Sequence, residues 1–115
     1  MIELTVFDYL KSQFTTSSET IPVYMETPEE MPGTFILVEK TGSGTDDKIN
    51  SATIAVQSYA PTLYEVALLN ERVKGFMDSL PETQNVFRCK LNSDYNFTDT
   101  QTKRYRYQAV YDLTY

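Results

Sequence analysis

The sequence predicts an α+β fold, a mostly antiparallel sheet of four to five strands with two helices packed on one face. Three observations on this 115-residue chain predict it. Two segments repeat apolar residues at helical spacing. Five others are β-favouring, and the longest of these alternate with period two. The element order reads α-β-β-β-α-β-β, with strands grouped around short polar connections rather than interleaved one by one with helices, so hairpins and an antiparallel sheet are expected. The length suits one domain over residues 1–115, with a core that needs no staples.

Ile2 to Phe14 reads as the first helix. Ile2, Val6, Phe7, Leu10 and Phe14 make one apolar stripe, with Glu3 near the start and Lys11 near the end, as the macrodipole prefers. Thr15 to Ser18 is a poor helix continuation and reads as a loop. Ile21 to Glu26 is short and extended, and Pro22 restricts it to an edge or a strand start. Pro28, Pro32 and Gly33 mark a turn. Thr34 to Thr41 holds a continuous Phe35-Ile36-Leu37-Val38 run, the pattern of a strand covered on both faces. Gly42 to Lys48 reads as a polar loop, and Asn50 to Tyr59 resumes as a strand with Ala52, Ile54 and Val56 on one face. The pair forms an extended hairpin.

Thr62 starts the second helix with a Thr62-x-x-Glu65 capping box, in which the hydroxyl accepts from the Glu65 N–H and the carboxylate reaches back to the Thr62 N–H. Leu63, Val66, Leu69, Val73, Phe76, Met77 and Leu80 are its expected buried face, with Asn70 opposite. Gly75 suggests a close approach there, and Pro81 a stop. Val86 to Leu91 and Lys103 to Tyr115 read as the last strands, joined by a polar loop over Asn92 to Thr102. In the final strand Tyr105, Tyr107, Ala109, Tyr111, Leu113 and Tyr115 face one way, and Arg104, Arg106, Gln108 and Asp112 the other.

Acidic residues outnumber basic ones by 16 to 10, a net charge of −6, which argues against a groove-binding nucleic-acid protein. The chain has no histidine and a single cysteine, Cys89. That removes histidine-based triads, histidine general bases and thiolate-rich zinc sites. It also removes any intrachain disulfide, and Cys89, between apolar and basic neighbours, reads as a packed strand residue. The opening MIELTVFDYL has neither a basic n-region nor a long apolar run, so no signal peptide or membrane span is expected. No cofactor and no metal are expected.

Asp46-Asp47, in a glycine-flanked loop, is the most site-like acidic pair. Adjacent carboxylates need further ligands to hold a cation, and none is near in sequence, so a solvated hairpin tip is the simpler reading. Glu29-Glu30 reads the same way. Gly42-x-Gly44 with Lys48 lacks the Gly-Lys-Ser/Thr ending and the following helix of a phosphate loop. Lys103-Arg104-Tyr105-Arg106-Tyr107 interleaves basic and aromatic residues as single-strand binders do, yet alternation also gives this pattern to an ordinary half-buried strand. Of the nine tyrosines, Tyr95, Tyr105, Tyr107, Tyr111 and Tyr115 together exceed what a small monomer core needs, which makes subunit contact by some of them an expectation.

The stretch IAVQSYAPTLYEVALLNERVKGFMDSL and the terminal YRYQAVYDLTY together resemble the tail terminator (tail completion) proteins of long-tailed bacteriophages and prophages. Related neck and minor tail proteins share much of this pattern. The resemblance covers nearly the whole chain and carries no invariant chemistry. It implies a non-enzymatic virion protein, made in the host cytoplasm, that forms a ring, typically a hexamer, on the tail tube. The ring would stop tube growth and offer a surface to the head connector, with DNA only passing through its lumen and no membrane involved. On this reading the loop with Gly42, Gly44, Asp46, Asp47 and Lys48, and the strand with Arg104, Arg106 and Tyr107, are the expected subunit or tail interfaces. A head-tail connector of the same virion, a carboxylate-metal enzyme and a nucleic-acid module using the Lys103–Tyr107 strand are the competing readings.

Overall fold

The computed structural model describes residues 1–83, 86–102 and 104–115. Its elements are α1 (Ile2–Gln13), β1 (Val23–Tyr24), β2 (Phe35–Asp46), β3 (Ile49–Ala60), α2 (Leu63–Asp78), α3 (Leu80–Thr83), β4 (Arg88–Asn96) and β5 (Tyr105–Thr114). The strands form one sheet in the order β1-β2-β3-β5-β4. β1 runs parallel to β2, and every other neighbouring pair is antiparallel. The expected α+β architecture is therefore the observed one, with the two-residue β1 at the edge where Pro22 placed it.

The two apolar helix stripes meet alternate residues of the strands. Ile2, Val6, Leu10 and Phe14 from the first helix, and Val66, Leu69, Val73 and Met77 from the second, share one core with Ile36, Val38, Ile54, Val56, Tyr111 and Leu113. Each fully buried side chain of this size contributes about 1.5–3 kcal/mol. Tyr9, which the stripe omitted, is also buried, and its hydroxyl donates to the Phe76 carbonyl at 2.7 Å, tying α1 to α2. Glu3 pairs with Lys40 at 3.1 Å and so anchors α1 to β2.

The second helix differs from its reading in several places. Leu63 is exposed, whereas Asn70 is only 1% exposed. Asn70 is buried because β4 brings Asp94 to it: Asn70 Nδ2 donates to Asp94 Oδ2 at 3.0 Å, and Lys74 Nζ reaches the same oxygen at 3.1 Å. The hydrogen bonds to Glu71 and then to Asp94 hold the Lys74 ammonium above its ordinary pKa. At the N-terminus, Thr62 Oγ1 accepts from the Glu65 N–H at 3.2 Å as expected, while the Glu65 carboxylate accepts from the Thr62 hydroxyl at 3.1 Å rather than from the backbone. The helix stops at Ser79 before Pro81, which sits instead in the first turn of α3, where its missing N–H costs nothing.

Gly75 makes no close approach, because a Cβ there would meet nothing within 4 Å. Gly75→Ala is therefore expected to stabilise the protein by about 1 kcal/mol through helix propensity alone. Urea unfolding should show a higher midpoint with an unchanged slope.

Two expected loops are strands. β2 continues through Gly42-Ser43-Gly44 to Asp46, and β4 continues through Asn92 to Asn96. In both, polar composition hid a backbone whose ladder partner lies on another strand. Each carries a bulge, between Lys40 and Gly42 in β2 and between Leu91 and Ser93 in β4. β4 begins at Arg88 and β5 at Tyr105; Lys103, read as part of that strand, lies outside the described residues.

Candidate functional site

The hairpin of β2 and β3 closes on the pair Asp46↔Ile49, leaving Asp47 and Lys48 as a two-residue turn with φ of 48° and 67°. Two left-handed residues give the twist that a tight hairpin needs. Aspartate tolerates this conformation, and lysine does so less well. The sequence reading missed the turn because the usual Asn-Gly or Asp-Gly signal is absent. From Glu39 to Ser51 every residue is exposed, so this end of the hairpin is solvated on both faces. β1 covers the outer edge of β2 only at Ile36 and Leu37, and among the described residues no strand pairs with that edge further on.

Arg104, Arg106 and Tyr107 lie at the other end of the sheet. Arg106 is level with Tyr59, ten residues along β3 from Ile49, which is about 33 Å at strand rise. The two groups of expected interface residues are thus separate patches. They are not equivalent in accessibility. Arg104 is exposed and exchanges backbone hydrogen bonds with Asp99. Tyr107 is half-buried and points to the helix side, opposite Ser58. Arg106 is engaged within the chain: Nε donates to the Phe97 carbonyl at 2.8 Å, one terminal nitrogen donates to Tyr59 Oη at 3.2 Å, and the guanidinium lies 4.1 Å from the Phe97 ring centre. Of the two arginines expected at an interface, Arg104 is the exposed one.

What Arg106 joins is a hydrogen-bond relay across the helix-free face. Tyr59 Oη donates to Gln57 Oε1 at 2.8 Å, Gln57 Nε2 to Gln108 Oε1 at 3.0 Å, and Gln108 Nε2 to Tyr95 Oη at 2.6 Å. Register makes this possible, since Gln57 stands opposite Gln108, and Gln108 opposite Tyr95. Tyr59 also stacks on Phe35 at 4.3 Å, and Tyr24 meets Phe35 edge-on at 5.8 Å. This small second core keeps Phe35 and Leu37 dry without a helix above them.

The start of β4 holds residues that the sequence reading passed over. Phe87 is 84% exposed, and Arg88 and Lys90 are exposed beside it. The signal was available in the basic residues flanking Cys89, but it has no meaning until β4 is known to be an outermost strand.

Among the described residues no group of three or more Asp, Glu or Cys is placed to hold a metal ion, and no helix is long and apolar enough to cross a membrane. A groove of about 290 Å³ between Met31-Pro32-Gly33 and Arg104-Tyr105 has Arg104 as its one charged lining residue among those described. Cys89 is half-buried on β4, and burial, with Asp78 nearby, pushes its thiol up to about 12. The folded protein should therefore resist alkylation at pH 8, while the urea-unfolded chain reacts at the rate of an ordinary thiol. The sign for stability follows. Above about pH 9 the unfolded chain releases a proton that the folded one keeps, so this contribution is lost as pH rises from 9 towards 12.

No protein-family model matches the chain, and no curated protein sequence matches it.

Proposed function

We propose that this protein is a structural virion-assembly protein of the tail-terminator kind, a ring of identical copies that caps the tail tube and presents a joining surface to the head connector. The observation that carries the reading is the two-sided exposure of the β2–β3 hairpin end from Glu39 to Ser51, with the acidic Asp46-Asp47 pair at its tip. A rigid arm of this kind, held by register to a well-packed body, suits contact with a neighbouring subunit or the tube better than it suits chemistry. The net charge of −6 suits a ring through which DNA passes without binding.

Electron microscopy of tails assembled with and without the protein tests the reading. Overlong tails in its absence are the expected result. Tails of normal length that lack heads would assign it to the head-tail connector instead, and normal, head-bearing particles would remove it from tail completion altogether.

A further inference from the structure

Among the described residues two strand edges are unpaired, the outer side of β4 and that of β2 beyond β1, and their residues fit each other. We propose that copies of this chain join head to tail by antiparallel pairing of the start of β4 and the residue before it, over Phe87–Leu91, with the outer edge of β2, over Thr41–Thr45, of a neighbouring copy. The sheet then continues from subunit to subunit. The inference rests on the ring reading for closure, and its details come from the strand ladder.

Polarity is the first argument. β2 and β5 run opposite to β3, so β4 runs with β3. A second copy placed beside the first by rotation about an axis along the strands therefore sets its β2 antiparallel to this β4. A closed ring adds no rise between copies, so the paired residues must lie at one level, within the stagger that strand tilt introduces. They do. The ladder runs Gly44↔Ser51↔Thr114↔Arg88 and Gly42↔Thr53↔Asp112↔Lys90. The two bulges also fall at nearly one level, since Lys40 and Leu91 are joined through Ile54 and Tyr111. Below them both edges are regular.

Size and charge agree with that register. Directly opposed residues share a face, so Gly42, Gly44, Asp46, Arg88 and Lys90 all lie on the helix-free side. The glycines leave room for the long side chains of Lys90 and Arg88 opposite them. Asp46 of the neighbouring copy becomes the diagonal neighbour of Arg88, within reach of a long side chain. Phe87, exposed in the single copy, packs beside Thr45 of the neighbour. The edge of β2 also lacks the lysines and prolines that usually guard an open edge below Lys40. The acidic Asp46-Asp47 pair and the basic Arg104 and Arg106, all expected interface residues, sit at opposite ends of the strands and do not meet in this arrangement.

Disulfide trapping tests the register. In a Cys89→Ser background, Gly44→Cys and Arg88→Cys are combined in one chain. Within a copy these positions are three strand spacings apart, about 14 Å, well beyond disulfide reach, so any bond is between copies. A Cβ at Gly44 meets Ser51 Oγ at 3.5 Å, an ordinary contact, so the fold tolerates the change. Oxidation at high protein concentration should give a ladder of multimers ending in a closed ring, while each single-cysteine variant stops at a dimer. Monomers, or dimers alone from the double variant, overturn the proposal. Independently, Arg88→Asp should weaken self-association about tenfold, and adding Asp46→Arg should restore it; no restoration also counts against this register. A ladder combined with tails of normal length would keep the interface and discard the terminator role. Overlong tails combined with no ladder would do the reverse.

Discussion

Phe14→Ala is expected to lower the unfolding free energy by about 3–5 kcal/mol. Phe14 is fully buried at the C-cap of α1, where three parts of the chain converge. Its ring meets Phe76 of α2 edge-on at 5.0 Å, and the Arg72 guanidinium lies 5.0 Å from its centre. Its carbonyl accepts from the Ile21 N–H at 3.0 Å, which turns the chain back towards β1. Removing the ring leaves a cavity between two helices that Tyr9 and Glu3 hold in place from other points, so collapse is limited. Against a typical total of about 5–15 kcal/mol, the loss brings the domain close to unfolding at room temperature. Chemical denaturation gives the measurement, and a loss under about 1 kcal/mol would show that the helix pair closes the gap.

Tyr59→Ala is expected to cost about 3–5 kcal/mol as well, for a different reason. The ring fills the second core against Phe35, and its hydroxyl links Arg106 to Gln57. The two contributions separate by chemistry. Tyr59→Phe keeps the stack but leaves the buried Gln57 oxygen without its donor, and about 1–3 kcal/mol is expected from that alone. A Phe variant as stable as the parent would show that the relay is not a stabilising network. In that case the helix-free face is held by packing only.

The parts of the fold set by local chemistry were legible in the sequence. The stripe Ile2–Phe14, the cap at Thr62 and the alternation of Ala52, Ile54 and Val56 each state their own structure within one turn or one strand. Other features depend on a partner distant in sequence, and these were not legible. Gly42 to Asp46 reads as a loop because nothing in it favours a strand, yet β3 supplies the ladder that makes it one. Asn70 reads as solvated until Asp94 arrives from a strand more than twenty positions away. The same cause hid the role of Arg106, whose guanidinium contacts come from Phe97 and Tyr59. Among the expected interface residues the hairpin tip stands exposed as the sequence suggested. The complementary edge at Phe87, Arg88 and Lys90 came into view only with the strand order.

That strand order also dictates when the protein can fold. β5 is synthesised after the other four strands, yet it lies between β3 and β4. Until it emerges, β3 has one bare side, β4 has no neighbour, and Ala109, Tyr111 and Leu113 are missing from beneath α2. The β2–β3 hairpin and the helices can form early, but the sheet must wait open for a non-local insertion, the kind of step that slows folding. During that interval the nascent chain exposes an additional apolar strand edge, which makes translation itself the period of greatest aggregation risk.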